Sequence, residues 1–306
     1  MFVSIGYVII DDIILPHGTT HMGCLGGGSV HAGMGMRVWS EQVGLVANIG
    51  RDFPANLMEQ LEKTFDVQGL TSLDMNTIRA WQLFEADGTR REIFRTDMNE
   101  FHRFNPQVKA FPKVYDNLQG VHLHCRWDEV AGWVQRLRPL GKPFILWEPW
   151  QAECTAENRG NFMNVLPLVD CISPNLQEAQ MLFEMNDTND LLDEFLADGA
   201  RMAVIRKGAE GSAFADSKGN RIRIPAVKVE KIVDQTGAGN AYCGGLVVGF
   251  VLSDDPREAL CRAAVSASFS LEQFGALFPV ENIKEKAENR YRSCMAEMKF
   301  LNRVCQ

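Results

Sequence analysis

The run Asp234-Gln235-Thr236-Gly237-Ala238-Gly239-Asn240-Ala241-Tyr242-Cys243-Gly244-Gly245 sets a polar turn with two glycines directly before an apolar segment, Leu246 to Phe250. A helix entered this way leaves the amides of Gly237, Ala238, Gly239 and Asn240 without intrahelical partners. With the helix dipole, those donors form an anion site, and phosphate is the chemistry they suit. Two other nucleotide patterns are excluded. The chain has no G-x-x-x-x-G-K-[ST] run, and the turn lacks the third glycine of a dinucleotide fingerprint.

Further polar groups stand where predicted strands give way to turns. Cys171-Ile172-Ser173-Pro174-Asn175-Leu176-Gln177-Glu178 reads as a strand end followed by a helix, with Asn175 as its cap and Glu178 as the capping partner. Val204-Ile205-Arg206-Lys207-Gly208-Ala209-Glu210-Gly211-Ser212 reads as a strand and a turn bounded by glycines. Glu148 closes the apolar run Pro143 to Trp147, at a strand end of the kind where open α/β sheets bind ligands. The neighbouring Trp147 and Trp150 suit either stacking on a ring or ordinary packing.

The glycine turn resembles the D-T-x-G-A-G-D signature of the PfkB (ribokinase-like) carbohydrate and nucleoside kinases, in which the last Asp takes the proton from the substrate hydroxyl. Asn240 stands at that position. The resemblance implies an anion hole at Gly237, Ala238 and Gly239, and nucleotide contacts from Thr236, Gly208, Gly211 and Asn175. It also gives Asn175 and Glu178 an alternative to simple capping: they resemble the family's N-x-x-E element, where the Glu reaches a hydrated Mg2+. Hard magnesium prefers oxygen donors and retains water, which suits a carboxylate acting through solvent.

On the acceptor side, Gly6 followed by Asp11 matches the family's spacing between a strand glycine and a sugar-binding Asp. Gly26-Gly27-Gly28-Ser29-Val30-His31 resembles its glycine-rich helix start, with His31 where an Asn normally contacts the sugar. Glu148 falls where the family has D-x-N. Gly27, His31, Asp11 and Glu148 are therefore the expected substrate contacts, with two departures from the family pattern.

The resemblance covers nearly the whole chain. It implies one ribokinase-like α/β domain over residues 1–306: a central, mostly parallel sheet flanked by helices, with a small β lid formed by excursions near 12–25 and 77–95. It implies ATP, Mg2+ and a small hydroxylated acceptor, and it offers the lid edge as a homodimer surface. An amide cannot act as a base, so three readings stay open. The chain is a kinase with a weakened or nonstandard base, Asp11 or Glu148 being the carboxylates to inspect; a pseudokinase acting through a partner or a conformational change; or an interaction protein that binds no nucleotide.

Composition supports a large folded core. The 306 residues are 46% apolar, and the net charge of −8 comes with no basic cluster, which argues against nucleic acid as a ligand. Eight cysteines without a C-x-x-C pair read as reduced thiols in a cytoplasmic protein. No export or membrane-spanning run is visible. His17, His21 and Cys24 are too loosely spaced to complete a tetrahedral zinc set, and His122 and His124 read as packing or hydrogen-bonding residues.

Short β-rich runs alternate with helical patterns, the reading for a mostly parallel sheet. Strands are expected at Val3 to Tyr7, Gly44 to Asn48, Val121 to His124, Pro143 to Trp147, Cys171 to Ile172 and Met202 to Arg206. Helices are expected at Ser29 to Val38, Leu57 to Thr64, Trp127 to Leu137, Asn175 to Phe183, Ala238 to Leu252, Arg257 to Glu272 and Glu281 to Met298. Asp87-Gly88 signals a hairpin turn between two extended runs.

Overall fold

The structure is a computed structural model that describes residues 1–87, 89–280 and 282–304. Its strands are β1 (Phe2–Ile5), β2 (Ile9–Ile14), β3 (Thr20–Gly26), β4 (Val43–Gly50), β5 (Asp66–Leu73), β6 (Arg79–Phe84) and β7 (Arg90–Phe94), followed by β8 (Gly120–His124), β9 (Phe144–Glu148), β10 (Cys171–Ile172), β11 (Met202–Arg206), β12 (Ser212–Asp216) and β13 (Arg221–Ile224). The helices are α1 (Gly28–Arg37), α2 (Ala55–Thr64), α3 (Met98–Phe101), α4 (Trp127–Leu137), α5 (Arg159–Val165), α6 (Leu176–Phe183), α7 (Thr188–Ala197), α8 (Ala238–Leu252), α9 (Pro256–Ser270) and α10 (Ile283–Val304).

Nine strands form one sheet in the order β13-β12-β11-β10-β9-β8-β1-β4-β5. From β5 to β11 every neighbouring pair is parallel, and only β12 and β13 add antiparallel edges. β4 is buried along its whole length, as a central parallel strand covered on both faces must be. One apolar cluster packs α1, α8 and α9 against one side of the sheet, and a second fills the opposite side under α4 to α7.

α8 is apolar nearly all round because it lies inside the protein. A methyl group built on Gly244 would come within 1.9 Å of the Ala32 carbonyl oxygen in α1, and one on Gly35 within 2.0 Å of the Ala241 carbonyl oxygen. The two helices therefore touch backbone to backbone. That contact fixes where the N-terminal end of α8, with its glycine turn, sits over the sheet.

A second sheet has the order β3-β2-β6-β7. Alternation along its strands turns Ile9, Asp11, Arg90, Glu92 and Phe94 toward the main body. On the other face Trp81 and Ile93 are partly exposed and stand opposite each other in register.

Several expected boundaries shift. The first strand ends at Ile5 rather than Tyr7, because the chain turns there toward the second sheet. The expected helix from Asn175 starts at Leu176, with Asn175 as its cap. β5, α5, α7 and the β12–β13 hairpin were not anticipated from the sequence. Gly88 of the expected hairpin turn, Glu281 at the expected start of the last helix, and Cys305 lie outside the described residues. The described cysteines are all free thiols. Among the described residues no helix is long and apolar enough to cross a membrane.

Candidate active site

Parallel strands end together, and here five of them deliver side chains to one edge. Tyr7 follows β1, His124 and Glu148 end β8 and β9, Asn175 follows β10, and Arg206 ends β11. They border a cleft of about 1210 Å³, closed on one side by the second sheet and on another by the N-terminus of α8. Ligand sites of open α/β sheets lie at this edge.

The centre of the cleft floor is a buried polar network. The Asn240 side-chain amide donates to Glu148 Oε2 at 2.9 Å. The same oxygen lies 2.8 Å from His122 Nε2, and His122 Nδ1 lies 3.0 Å from Ser4 Oγ. Arg206 holds the other Glu148 oxygen at 2.6 Å. Its second nitrogen donates to the Ser173 carbonyl at 3.0 Å and approaches Glu178 at 3.6 Å. Burial alone would raise the Glu148 carboxyl, but the Arg206 charge, aided by the His122 hydrogen bond, holds it well below the usual carboxylate range. Glu148 is therefore an ionised anchor with both oxygens engaged, and a poor proton acceptor.

The glycine turn meets this network from above. Gly237 has a left-handed backbone, φ 72°, and a methyl group there would lie 2.0 Å from the His31 ring. One on Gly239 would lie 2.2 Å from an Arg206 guanidinium nitrogen. The turn thus rests directly on an imidazole and a guanidinium, and neither position has room for a side chain. The Thr236 amide donates to Asp234 Oδ1 at 2.8 Å, while Thr236 Oγ1, Asp234 Oδ2 and Arg206 Nε are buried without partners. Thr236, Gly237, Ala238 and Gly239 all border the cleft, as do Gly208 and Gly211 beyond the end of β11. The Ala238 amide, expected in the anion hole, donates to the Gln235 carbonyl at 3.3 Å, whereas the Gly237 and Gly239 amides and the unsatisfied guanidinium N–H fit a phosphate.

Asn175 and Glu178 form a complete capping box: the Glu178 amide donates to Asn175 Oδ1 at 2.8 Å, and the Asn175 amide donates to Glu178 Oε2 at 2.7 Å. Asn175 Nδ2 donates to Glu178 Oε1 at 2.7 Å. Both residues also line the cleft, so capping does not remove them from it. Each Glu178 oxygen keeps a lone pair, which suits a hydrated cation held through water.

On the acceptor side Asp11 is buried, and Gln82 Nε2 donates to it at 2.9 Å. Burial pushes its carboxyl up to about 7, with the Gln82 hydrogen bond opposing. Gly27 lets the chain pass against the Tyr7 carbonyl, where a methyl group would approach to 2.3 Å. His31 is fully enclosed, neither ring nitrogen has a partner, and burial pulls it down to about 4, so it is neutral. Tyr7, Phe101 and Trp150 form an aromatic wall, with Tyr7 stacked on Phe101 at 4.8 Å and tilted toward Trp150 at 5.2 Å. The Tyr7 hydroxyl and the Trp150 indole N–H are buried and unpartnered.

Of the two tryptophans beside Glu148, Trp150 borders the cleft, whereas Trp147 is core and donates to the Cys125 carbonyl at 3.0 Å. His21 stacks on Phe274, and the Cys24 thiol donates to the His21 carbonyl, so among the described residues His17, His21 and Cys24 do not converge on a metal. Arg206, His124, Tyr7 and Phe101 were missed by sequence reasoning. Arg206 carried a usable signal, a cation ending a buried strand directly before Lys207-Gly208. The others carried none.

Because the Asp11 carboxyl is higher in the folded chain than unfolded, folding binds a proton between about pH 4 and 7, and stability falls as pH rises through that window. Asp11→Asn is expected to melt higher than the wild type at pH 8, with the gap closing toward pH 4. A melting-temperature series across pH checks this, and equal curves would contradict it.

Residues 142–283 match the model of the pfkB family carbohydrate kinases. Among curated proteins the chain is similar to the cytidine kinase of Thermococcus kodakarensis, at 27% identity over 81% of this chain and 87% of that one. It is also similar to the Saccharomyces cerevisiae protein MAK32, at 25% identity over 90% of this chain and 85% of that one. Among solved structures, a putative ribokinase II from E. coli in complex with ATP and Mg2+ superimposes with a TM-score of 0.75, at 17% identity over 94% of this chain and 99% of that one. Over residues 142–283 the chain is similar to the pfkB family carbohydrate kinases, and its fold is ribokinase-like.

Proposed function

We propose that this protein is an ATP-dependent kinase that phosphorylates a hydroxyl of a small nucleoside-like acceptor, with Asn240 orienting the hydroxyl instead of deprotonating it. The observation that carries this reading is the Asn240–Glu148 bond. Only the amide NH2 can donate to an ionised carboxylate, so the Asn240 carbonyl oxygen is left to accept from a substrate hydroxyl. The glycine turn and Arg206 then receive the ATP phosphates. Mg2+, held through water near Asn175 and Glu178, would neutralise charge on the transferring group. General-base assistance is worth about 10² to 10⁴ in rate, whereas positioning and electrostatics supply most of phosphoryl transfer. Losing the base slows such an enzyme without abolishing it.

The acceptor class follows from the pocket walls. Tyr7, Phe101 and Trp150 offer ring faces, and their unpartnered hydroxyl and indole N–H suit a heteroaromatic ring with acceptor atoms. Asp11 supplies the carboxylate for ribose-like hydroxyls. The similarity to a cytidine kinase supports the same class. The second sheet would close over this acceptor as a lid, excluding water from the transfer.

A second reading, a pseudokinase that binds nucleotide and acts through conformation or a partner, is favoured by one fact: both oxygens of the carboxylate beside Asn240 are already engaged. ADP release against a panel of nucleosides and sugars separates the two. We expect slow, acceptor-dependent turnover by the wild type. Asn240→Asp alone sets two carboxylates in contact, so it should gain little. Asn240→Asp with Glu148→Gln keeps the site's net charge, exchanges the two roles, and should exceed the single variant by about 10-fold or more. ATP binding with no turnover by the wild type would leave only the pseudokinase.

We also infer a homodimer through the outer face of the second sheet, where Met22, Trp81 and Ile93 are exposed apolar side chains. Sedimentation should give a dimer for the wild type and a monomer for Trp81→Asp. A monomeric wild type would rule this surface out.

A further inference from the structure

Resting on the kinase reading above, the geometry points to His124 as the group that takes the acceptor proton in place of a carboxylate at position 240. Two independent observations converge on it. The first is position. A methyl carbon built on Gly28 would lie 2.3 Å from His124 Nδ1 and 3.2 Å from Asn240 Nδ2. No carbon fits at that point, so imidazole and amide close over the Gly28 backbone as near neighbours, and both border the cleft. A hydroxyl oriented by Asn240 is placed beside the imidazole. The second is unspent hydrogen-bonding capacity. His124 Nδ1 is buried without a partner, and no hydrogen bond engages the other ring nitrogen among the described residues. His122, two positions earlier in the strand and so on the same face, is by contrast fully engaged by Ser4 and Glu148.

The charge state agrees with the geometry. The groups that face His124 are His122 on its own strand, Glu148 on β9, Arg206 on β11, and Tyr7 on the segment after β1, with ring centroids 6.2 Å away for His122 and 6.4 Å for Tyr7. Burial pulls the imidazole down to about 4, Glu148 opposes this, and His122 and Arg206 add to it. His124 is thus neutral at physiological pH, with a lone pair free on one nitrogen.

In the transfer step the acceptor O–H bond breaks and its proton passes to a His124 nitrogen, while the oxygen electron pair forms the new bond to the γ-phosphorus. The bond from that phosphorus to the bridging oxygen breaks, and its electrons leave with ADP. The imidazolium then releases the proton to water in the cleft. Asn240 aligns the hydroxyl, Glu148 holds Asn240, and His124 accepts the proton, so the work of one family Asp is divided among three side chains.

The test is steady-state kinetics of the full chain with ATP, Mg2+ and the best acceptor from the nucleoside panel. His124→Gln keeps the size and polarity of the side chain but cannot take a proton. It is expected to lower kcat by about 10²-fold, the low end of general-base effects because the imidazole is a weak base, with KM for ATP little changed. The wild-type profile should lose activity as pH falls toward 4, and that limb should be absent from His124→Gln. His124→Ala, checked for folding by its melting temperature, should recover activity with added imidazole. A His124→Gln variant within about 3-fold of the wild-type kcat overturns the proposal while leaving the kinase reading intact. A wild type that turns over no acceptor overturns both.

Discussion

The site depends on one buried ion pair. Glu148 and Arg206 lie 2.6 Å apart, Glu148 buried and the Arg206 side chain 11% exposed, and each organises a different half of the cleft. Glu148 fixes the Asn240 amide and the His122 imidazole. Arg206 lies under Gly239 and between the carboxylates of Glu148 and Glu178. Removing one partner of such a pair commonly costs about 3–5 kcal/mol, because the other charge is left buried and unpaired. The pair therefore ties the acceptor side to the phosphate side, and neither can be altered alone. It also explains why a carboxylate at the cleft floor does not act as a base: its charge is already neutralised by Arg206.

The fold serves this pair by bringing together strand ends far apart in sequence. β9 supplies Glu148 and β11 supplies Arg206, with β10 between them. α8 brings Asn240 down onto them, and its height is set by the backbone contact of Gly244 and Gly35 with α1. Small residues in these two helices are thus a condition for the Asn240–Glu148 bond. The partly unsatisfied groups of the cleft, His31, Tyr7, Trp150 and Arg206 Nε, are costs the folded state carries toward a ligand.

The fold was legible because the glycine turn and the strand–helix alternation are local signals. Cys171 to Ile172, Met202 to Arg206, Trp127 to Leu137 and Ala238 to Leu252 stand in the structure with the boundaries the sequence suggests. β5 was missed because an edge strand with one exposed face, Asp-Val-Gln-Gly-Leu-Thr-Ser-Leu, lacks a clear apolar pattern. The site was legible as separate residues but not as a network. Asn240 and Glu148 lie 92 positions apart, and no local rule pairs them. Arg206 was passed over because a cation at a strand end reads as solvent-facing, whereas here the carboxylates that permit its burial come from other elements. His124 looked like a packing residue, and only its meeting with the Asn240 amide over Gly28 shows that it belongs to the site.

The most direct test of the central role of the Arg206–Glu148 pair is calorimetric binding of a non-hydrolysable ATP analogue, with Mg2+, to the wild type and to the Arg206→Met, Glu148→Gln double variant. The double variant removes both buried charges together, so it should fold. If Arg206 is the cation of the phosphate site, the wild type binds and the double variant binds about 10-fold or more weakly, the loss expected for a hydrogen bond to a charged group. Equal affinity in the two proteins, or no binding by the wild type, would contradict the account.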